Sequence, residues 1–521
     1  MGMLGSYDLN RRTLLRAAGL LAAPALTQLA PAASAAAAPA TASPAPATGY
    51  DPELGDGVEL LIDDHRIESA ENVARVIHPG TKVVHPDTGS RMLMRYGEKP
   101  WEPTRVQLYG SVIYDSDERI FKMWYRTLLP SGGPRLCYAT SEDGLRWEKP
   151  VLGLYEFEGS RENNISTHID MAAVLKDDRD PDPSRRYKLF GCPRMWEGYW
   201  VYFSADGLRW SGGRQVLPNG DTCSAAYDPR TGRFLATTKQ APYSERRAYL
   251  STSTDFEEWS APQLILEGDE RGDHLAKASP LVTDIDRANE QIYACPVIPY
   301  EGAYLGLPWS FEYTGGNGPG GNDDGHVRPQ LAFSRDLTTW VRPGRTHLID
   351  SGPAGSFDAG IIQGTTNDIV VTDDEIRLYY GGFNTSHGGP LDRKRVGIGL
   401  VTWRLDGFAS MTNGGDEPGV LTTRPVLVGG DHLHVNADLT SQPARPAQLR
   451  VELLDEGGTP LPGFTADDAV PIRGDRVDVV AQWHGGAGPR ELRGRAVRLR
   501  FHLSGGDLYS YHFSDTRGPR R

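Results

Sequence analysis

One seven-residue motif occurs four times in the middle of the chain, and this repeat constrains the fold more than any other feature. Ser, Asp and Trp keep the same spacing in every copy. The copies are Ser141-Glu-Asp143-Gly-Leu-Arg-Trp147, Ser204-Ala-Asp206-Gly-Leu-Arg-Trp210, Ser253-Thr-Asp255-Phe-Glu-Glu-Trp259 and Ser334-Arg-Asp336-Leu-Thr-Thr-Trp340. A degraded fifth copy is Leu405-Asp406-Gly407-Phe408, and successive aspartates lie 63, 49, 81 and 70 residues apart. Self-similarity at this scale is typical of repeat architectures.

Each copy of the motif lies between segments that have the composition of β-strands. A short apolar or aromatic run precedes each copy, at residues 136–139, 200–203, 248–251 and 330–333. Asp-Gly supplies a turn that tolerates positive φ, and we expect the Trp to begin the next strand and to cover apolar surface between neighbouring units. Hairpin patterns at residues 112–125, 225–236 and 369–380 complete about four antiparallel strands per unit, the content of one propeller blade.

The sequence therefore predicts an all-β protein that begins with a five-bladed β-propeller over residues 55–412. The alternative is a β-sandwich rich in Trp and Asp-Gly turns. Four copies in register disfavour that alternative, and no long segment with a period of 3.6 supports a helical fold. The 60 glycines and 38 prolines suit a chain with many turns.

The first 54 residues predict export. Arg11 and Arg12 precede an apolar stretch at residues 17–29, and Ala33-Ser34-Ala35 offers a small-residue cleavage site. This pattern predicts a Tat-type signal peptide over residues 1–35, with a Sec signal as the alternative. Residues 36–54 predict an Ala/Pro-rich linker. We expect the mature protein to be secreted or extracytoplasmic.

Two further segments flank the predicted propeller. Residues 413–430 are rich in Gly and Pro and predict a linker, and residues 431–515 alternate strands with turns and predict a small β-sandwich. Packing against the propeller is the expected role of the sandwich, with carbohydrate binding as the alternative.

The strand at residues 60–67 contains Asp63-Asp64-His65, residue types that suit a metal. Because the sequence offers no matching ligand cluster, we predict instead a structural strand that helps to close the ring.

Charge and cysteine content restrict the partners. A formal net charge of −13 disfavours nucleic acid and anionic membrane surfaces, and no segment after residue 50 is long and apolar enough to span a membrane. No membrane anchor is predicted.

The four cysteines lack metal-ligand spacing, so we expect free thiols, with a Cys192–Cys223 bridge as the alternative. They are Cys137, Cys192, Cys223 and Cys295. The sequence predicts no cofactor and no metal in the site, and leaves open a structural calcium ion and the oligomeric state.

Acidic residues near the starts of the innermost strands are the candidates for chemistry. These strands converge on a central funnel, where side chains distant in sequence meet. Glycoside cleavage needs two carboxyl groups that flank one bond, of which one protonates the leaving oxygen and the other attacks carbon or activates water. One acid lies near each expected inner strand: Glu102, Asp170, Asp221, Asp273 (before a strand expected at residues 275–281) and Asp358.

Aromatic residues and one long insertion complete the predicted substrate site. The candidate stacking platforms for a sugar are aromatic residues that we expect in irregular segments between strands: Trp101, Trp196, Tyr199, Tyr300, Tyr304 and Trp309. The Gly-rich insertion of the fourth unit, residues 299–326, has a length that is typical of binding loops. The predicted substrate-binding residues are Trp101, Asp273, Glu301, His326 and Asp358.

The repeated motif, with Phe357-Asp358-Ala-Gly360 and Leu378-Tyr-Tyr-Gly-Gly382, resembles the five-bladed propeller glycoside hydrolases, which include the family 32 fructosidases and the family 43 arabinofuranosidases and xylosidases. The resemblance covers residues 55–515, and a propeller followed by a β-sandwich is the domain order of family 32. It implies an exported hydrolase of an oligo- or polysaccharide, with a furanoside preferred. By blade order it implies that Glu102 is nucleophile or base, that Asp170 stabilises the transition state and that Asp221 protonates the leaving group.

The chain departs from family 32 in its motifs. The Trp-Met-Asn-Asp-Pro-Asn-Gly nucleophile motif and the Glu-Cys acid motif do not occur, and Pro100-Trp101-Glu102-Pro103 shares with the first only a Trp near an acid. Fructose specificity and a retaining mechanism are therefore not implied. Two alternatives stay open. One is a non-catalytic glycan-binding propeller, and the other is a family 130-like phosphorylase or a lyase, with Arg246, Arg247 and Arg328 as candidate phosphate ligands.

Overall fold

A computed structural model describes residues 57–241, 245–372, 374–440 and 446–518 of the protein. The predicted signal peptide, residues 1–35, and the predicted linker, residues 36–54, lie outside these ranges. Within them the regular secondary structure is almost entirely β-strand. None of the helices in the described ranges is long and apolar enough to cross a membrane.

The described chain begins with four short strands and continues into three regular blades. The first four strands are β1 (Glu59–Leu60), β2 (Ile67–Glu71), β3 (Ala74–Ile77) and β4 (Thr81–Lys82). Blade one contains β5 (Val106–Asp115), β6 (Ile120–Leu128), β7 (Pro134–Ser141) and β8 (Ile165–Thr167). Blade two contains β9 (Met171–Lys176), β10 (Tyr187–Cys192), β11 (Tyr199–Ser204) and β12 (Ser211–Leu217), with a 3₁₀ turn at Pro183–Arg185. Blade three contains β13 (Ser224–Asp228), β14 (Arg233–Thr238), β15 (Ala248–Ser253) and β16 (Gln263–Leu266).

Blade four departs from the regular pattern because a second small sheet is inserted into it. Helix α1 (Glu270–Lys277) precedes it. The blade itself consists of β18 (Val297–Tyr300), β19 (Ala303–Gly306) and β22 (Ala332–Ser334), and the inserted sheet consists of β17 (Asn289–Ile292), β20 (Trp309–Asn317) and β21 (Asp323–Pro329). The insertion predicted as a binding loop is therefore mostly a β-hairpin.

Blade five uses a strand from the other end of the chain. Its own strands are β23 (Ile361–Thr365), β24 (Val370–Val371), β25 (Glu375–Phe383) and β26 (Val396–Arg404). β4 pairs with β26 as the outermost strand, with Lys82 opposite Val401. The inner strands contact one another in sequence, β5 with β9, β9 with β13, β13 with β18 and β23 with β5, while β21 joins blade four to β23. The predicted ring of five blades is confirmed.

The repeated motif makes the same hydrogen bonds in all four copies. The Ser Oγ accepts from the backbone N–H three residues on, at 2.8–2.9 Å. The Asp Oδ1 accepts from the N–H groups two and three residues beyond it, at 2.7–2.9 Å. These side chains replace the backbone partners that a tight turn lacks. Burial alone would raise the pKa of Asp143, but its N–H donors and Arg146 outweigh burial and lower the pKa to about 2.

The motif Trp packs each blade against the blade before it. Trp147 of blade one contacts Tyr379 of blade five edge-on, and Trp259 of blade three contacts Phe190 of blade two, with ring centroids 5.6 and 5.0 Å apart. Trp210 lies against the apolar cluster between blades one and two, and Trp340 against the one between blades three and four. The predicted role of the motif Trp is therefore confirmed.

The residue type at the fourth position of the motif depends on the aromatic residue that the preceding blade places next to it. Its φ is positive in every copy: 74° at Gly144 and Gly207, and 67° at Phe256 and Leu337. Where the preceding blade offers a hydrogen-bond donor, as Trp124 Nε1 does to the Gly207 carbonyl at 2.7 Å, the residue is Gly. A Cβ on Gly207 would lie only 2.8 Å from the Trp124 ring. The close approach therefore requires glycine, which also adopts positive φ without strain.

A β-sandwich completes the molecule. Its strands are β27 (Ala409–Asn413), β28 (Gly419–Thr423), β29 (Val426–Leu427), β30 (His432–Leu439), β31 (Gln448–Leu454), β32 (Gly474–Val480), β33 (Ala496–Ser504) and β34 (Gly506–Ser514), with short 3₁₀ turns at His484–Gly486 and Pro489–Leu492. One sheet has the order β3-β27-β34-β30-β32 with β1 on β34, and the other has β2-β28-β33-β29 with β31 on β33. The predicted sandwich after the propeller is confirmed as part of the fold.

The boundaries of the sandwich differ from those predicted. Residues 413–430, predicted as a linker, contain β28 and β29. Leu421 and Val426 are buried in the sandwich core, and this burial stabilises strands in spite of the many Gly and Pro residues. The strand predicted to close the ring, residues 60–67, also belongs to the sandwich, where Leu61 and Ile67 are buried. β4 closes the ring instead. Asp63 forms an ion pair with Arg335 at 2.8 Å, which accounts for its charge without a metal.

The Gly207–Trp124 contact gives a test of blade packing. We expect Gly207→Ala to destabilise the protein by about 2–4 kcal/mol, because the new Cβ collides with the indole and the backbone also has positive φ. The matched control is Gly132→Ala, which has φ of 81° but nothing within 4 Å of the added Cβ, so only the backbone cost of about 1 kcal/mol applies. Urea unfolding of both variants measures the difference, and equal losses would contradict the packing account.

Candidate functional site

A cavity of about 440 Å³ lies where the inner strands begin. Its position matches the funnel expected of a propeller, since β5, β9, β13 and β23 all start around it. Every blade contributes to its lining: Arg105, Tyr109 and Arg126 from blade one, Met171 and Trp196 from blade two, Asp221 and Arg246 from blade three, Tyr293 and Asp323 from blade four, and Gln363, His387 and Lys394 from blade five. The volume suits a small ligand such as a sugar unit.

Asp221 lies on the cavity wall just before β13, as predicted. Its Oδ2 accepts from Lys239 Nζ at 2.9 Å and its Oδ1 from the Thr222 N–H at 2.7 Å. The Lys239 ammonium lies 3.9 Å from the centre of the Tyr293 ring. Burial, together with nearby Arg246, lowers the pKa of Lys239 despite its pairing with Asp221. The pair is therefore a buried acid–base couple that faces the cavity.

Asp170 also reaches this region, from the residue before β9. Arg126 Nε donates to its Oδ1, and Arg126 Nη1 donates to Gln107 Oε1 at 3.0 Å, so the guanidinium joins blades one and two. Burial, with the charges of Asp170 and Asp221, raises the pKa of the Cys192 thiol to about 12. Asp170 is therefore next to the cavity through Arg126, which lines it, whereas Asp221 lines the cavity directly.

Glu102 does not have the predicted position. It is fully buried inside blade one, where Tyr125 donates its hydroxyl to Oε1 at 2.5 Å and Lys149 donates to Oε2 at 2.7 Å. Both oxygens are therefore occupied within the blade core. Arg105, which directly precedes β5, lines the cavity in its place. Trp101 is likewise a core residue, 8% exposed, whose indole N–H donates to Asn164 Oδ1 at 2.9 Å.

The predicted substrate-binding residues Asp273 and Asp358 have structural roles. Asp273 lies in α1 and accepts from the Glu290 N–H at 2.9 Å, because Asp269 caps a helix where a strand was expected. Asp358 is 1% exposed and binds Lys82 Nζ at 2.5 Å, so it holds the closing strand β4 to blade five.

Glu301 and His326 do not line the funnel either. Glu301 occupies the turn between β18 and β19 with φ of 48°, beside Gly302, whose carbonyl accepts from Arg230 beyond the end of β13. That is the opposite end of the inner strands from the funnel. His326 lies on β21, where Nδ1 contacts the Gly360 carbonyl at 3.0 Å, and it lines a separate cavity with Arg328 and His347.

The sequence did not identify most of the charged residues of the cavity. Asp323 on β21 forms an ion pair with Arg246 at 2.8 Å. Arg105, Arg126 and Lys394 are the other cations. Of the candidate phosphate ligands only Arg246 lines the cavity, since Arg247 binds Glu245 and Glu267, and Arg328 binds Glu312. Arg105 directly precedes an inner strand, as Asp170 does, and a search of that position for cations would have found it.

A hydrogen-bonded chain of neutral groups forms one side of the cavity. His387 Nδ1 lies 2.6 Å from the Asp323 carbonyl oxygen and therefore carries the proton, while Nε2 lies 3.3 Å from the Tyr293 hydroxyl and accepts from it. Burial, together with Arg246, Lys394 and Lys239, lowers the pKa of His387 to about 4. Burial and Asp221 raise the pKa of Tyr293 to about 12. Both side chains are uncharged near neutral pH.

One cluster outside the propeller contains metal-ligating residue types. His434, Asp478 and His512 of the sandwich place one possible ligand atom each within 4.8 Å of the others. His434 already contacts Asp478 Oδ1 through Nδ1 at 2.7 Å and the Thr516 carbonyl through Nε2 at 2.8 Å. Hydrogen bonds thus occupy both of its ring nitrogens. The four cysteines are free thiols, as expected, with Cys223 half-buried and the others buried.

The sequence also contains an Arg-Asp-Pro triplet, a motif of the family 32 enzymes. It occurs at Arg179-Asp180-Pro181, beyond the end of β9, whereas the cavity lies at the start of β9. Asp180 binds Lys188 Nζ at 2.7 Å and Arg185 Nε at 3.2 Å. Its carboxylate is therefore engaged at the opposite end of the blade.

Comparison with solved structures finds matches at low sequence identity and low TM-score. No family model and no curated protein matches the chain. Among solved structures, an N-acetylgalactosamine deacetylase from F. plautii in complex with blood group B trisaccharide matches at 14% identity and TM-score 0.39, over 64% of this chain and 96% of that one. A glycosyl hydrolase from Bacteroides ovatus matches at 14% and 0.40, over 63% and 94%. The catalytic domain of a Coprinopsis cinerea α-L-arabinofuranosidase of glycoside hydrolase family 62 matches at 12% and 0.38, over 61% and 96%. Likeness at this level does not transfer an activity from one protein to another.

The neutral His387 gives a test by pH. Its pKa is about 4 in the folded protein against an ordinary value of 6.5, so the unfolded chain binds the proton more readily between these values. Stability is therefore full above pH 6.5 and falls as the pH drops from 6.5 to 4. We expect His387→Gln to reduce this slope in urea unfolding, while the exposed control His168→Gln keeps the wild-type slope. An unchanged slope in His387→Gln would show that His387 is not buried in its neutral form.

Proposed function

We propose that this protein is an exported glycoside hydrolase that cleaves an oligo- or polysaccharide in the funnel of its propeller. The observation that carries the proposal is that carboxylates from two different blades, Asp221 and Asp323, line one cavity, while Asp170 binds Arg126, which also lines it. Paired carboxyl groups at one cavity are the requirement of glycoside cleavage. The half-exposed Trp196 at the cavity supplies an apolar face on which a sugar ring can stack.

In this proposal Asp221 protonates the leaving oxygen. Burial destabilises the charged form of Lys239, which favours transfer of its proton to the hydrogen-bonded Asp221 and from there to the leaving oxygen. The ammonium of Lys239 becomes a neutral amine as Asp221 delivers the proton. Asp170, held in place by Arg126, is assigned the role of stabilising the positive charge that develops on the sugar.

Asp323 takes the role that blade order assigned to Glu102. Glu102 is enclosed in blade one, whereas Asp323 lines the cavity and its carboxylate is one-third exposed. We assign Asp323 the attack on the anomeric carbon or the activation of water. A furanoside is the preferred substrate, from the family resemblance, and the signal pattern at residues 1–35 supports export.

The roles of Asp221 and Asp323 are separable by leaving group. We expect Asp221→Asn to lower kcat on methyl glycosides by about a hundredfold or more, with a much smaller loss on dinitrophenyl glycosides, whose leaving group needs no proton. Asp323→Asn should lose activity on both substrates alike. The matched control is the exposed Asp286→Asn, for which wild-type rates are expected. Near-UV circular dichroism checks that each variant is folded.

Activity assays on aryl furanosides and pyranosides decide between this proposal and its alternatives. Wild-type turnover in the Asn variants of Asp170, Asp221 and Asp323 would exclude the proposed chemistry. Oligosaccharide binding by calorimetry, with no product formed by the wild-type protein, would replace it with a glycan-binding propeller.

A further inference from the structure

The cavity holds more cations than its carboxylates neutralise. Three ion pairs at or next to the cavity are complete: Asp170 with Arg126, Asp221 with Lys239, and Asp323 with Arg246. Among the described residues, Arg105 and Lys394 have no carboxylate within ion-pair distance. The whole chain carries a net charge of −13, so this local excess of positive charge is opposite to the character of the protein.

The backbone places Arg105 and Lys394 side by side. Arg105 forms a parallel bridge with Val396, which is two residues from Lys394, so the start of β5 and the start of β26 adjoin. Lys394 is only 5% exposed, and its ammonium donates to the His387 carbonyl at 2.5 Å. The structure therefore holds a buried ammonium and a guanidinium together at one wall of the cavity.

The charged surroundings of the two cations affect their pKa values. Burial and the neighbouring Arg126 lower the pKa of Arg105, although Tyr109 and Asp170 oppose this. Burial and Arg105 lower the pKa of Lys394 to about 8, although Asp324 opposes this. Asp324 is itself bonded to the backbone N–H groups of Gly325 and Gly388, both at 2.9 Å. An unneutralised pair of this kind is costly in isolation and is stabilised by an anion between the two groups.

We propose that Arg105 and Lys394 bind an oxyanion of the substrate, either a carboxylate or sulfate group on the sugar or an inorganic phosphate that takes part in the reaction. The guanidinium supplies a planar pair of donors and the ammonium supplies a point charge, a combination that suits oxyanions. This inference rests on the proposed glycosidase function. It narrows the substrates to acidic sugars, or, when the anion is phosphate, changes the reaction to phosphorolysis. In phosphorolysis the phosphate oxygen bonds to the anomeric carbon as the glycosidic bond breaks, and Asp221 supplies the proton to the leaving oxygen.

Calorimetry with defined anions tests the proposal. The probes are sodium galacturonate, sodium sulfate and sodium phosphate, with galactose as the neutral control. We expect at least one anion to bind the wild-type protein and galactose to bind more weakly. Arg105→Gln and Lys394→Gln should each weaken that binding by about tenfold or more, the loss expected for one charge-assisted contact. Arg247→Gln, which removes a cation outside the cavity, should bind as the wild type does.

The pH dependence separates a direct contact from a structural effect. Above pH 8 Lys394 loses its charge, so anion binding by the wild-type protein should weaken between pH 7 and 9. Lys394→Gln should lack this dependence. Arg105→Lys should recover part of the affinity lost in Arg105→Gln. Affinities within twofold of wild type in both Gln variants, or no binding of any anion, would overturn the proposal.

The arms of the experiment also distinguish the sources of the anion. Preferential phosphate binding together with turnover that depends on phosphate identifies a phosphorylase. Preferential galacturonate or sulfate binding identifies an acidic sugar. Anion binding is measured without turnover in the wild-type protein and again in Asp221→Asn. Because binding and activity are measured separately, failure of the oxyanion proposal and failure of the glycosidase proposal give different results.

Discussion

The tight turn of the repeated motif is the constraint on which the rest of the structure depends. In four blades one Asp oxygen accepts two successive backbone N–H groups, and one Ser oxygen accepts a third. These bonds fix the direction in which the chain leaves each third strand, and so place the Trp against the preceding blade. Because these four blades pack on their neighbours in the same way, the ring forms and the starts of the inner strands meet around one cavity.

Ring closure depends on a second interaction, between distant parts of the chain. β4 adds to the outer edge of blade five, and Lys82 binds the nearly buried Asp358. Tyr380 donates its hydroxyl to the same carboxylate at 2.9 Å. Breaking a buried pair of this kind leaves a charge without a partner, which typically costs about 3–5 kcal/mol. The closing strand is therefore held by charge as well as by backbone pairing.

The fold was predictable from the sequence because the motif repeats its spacing, and Asp170 and Asp221 were predictable because each lies close before an inner strand. The predicted position of Glu102 was wrong because β5 begins four residues later. That start puts Arg105 at the funnel and Glu102 in the blade core. The predicted substrate-binding role of Asp358 was wrong because its partner in the structure, Lys82, lies 276 residues away in the sequence. The sequence did not indicate that Arg105 and Lys394 lie together, since a bridge between Arg105 and the distant Val396 brings these two parts of the chain together.

The proposed place where a sugar binds and reacts is the funnel beside Asp170 and Asp221. A crystal structure of the Asp221→Asn variant soaked with an oligosaccharide would show whether a sugar occupies it. We expect electron density for a sugar ring between Asp170, Asn at position 221 and Trp196, with the glycosidic oxygen next to the substituted side chain. A sugar bound only on the β-sandwich, or a funnel that stays empty at saturating ligand, would show that the funnel is not the reaction site.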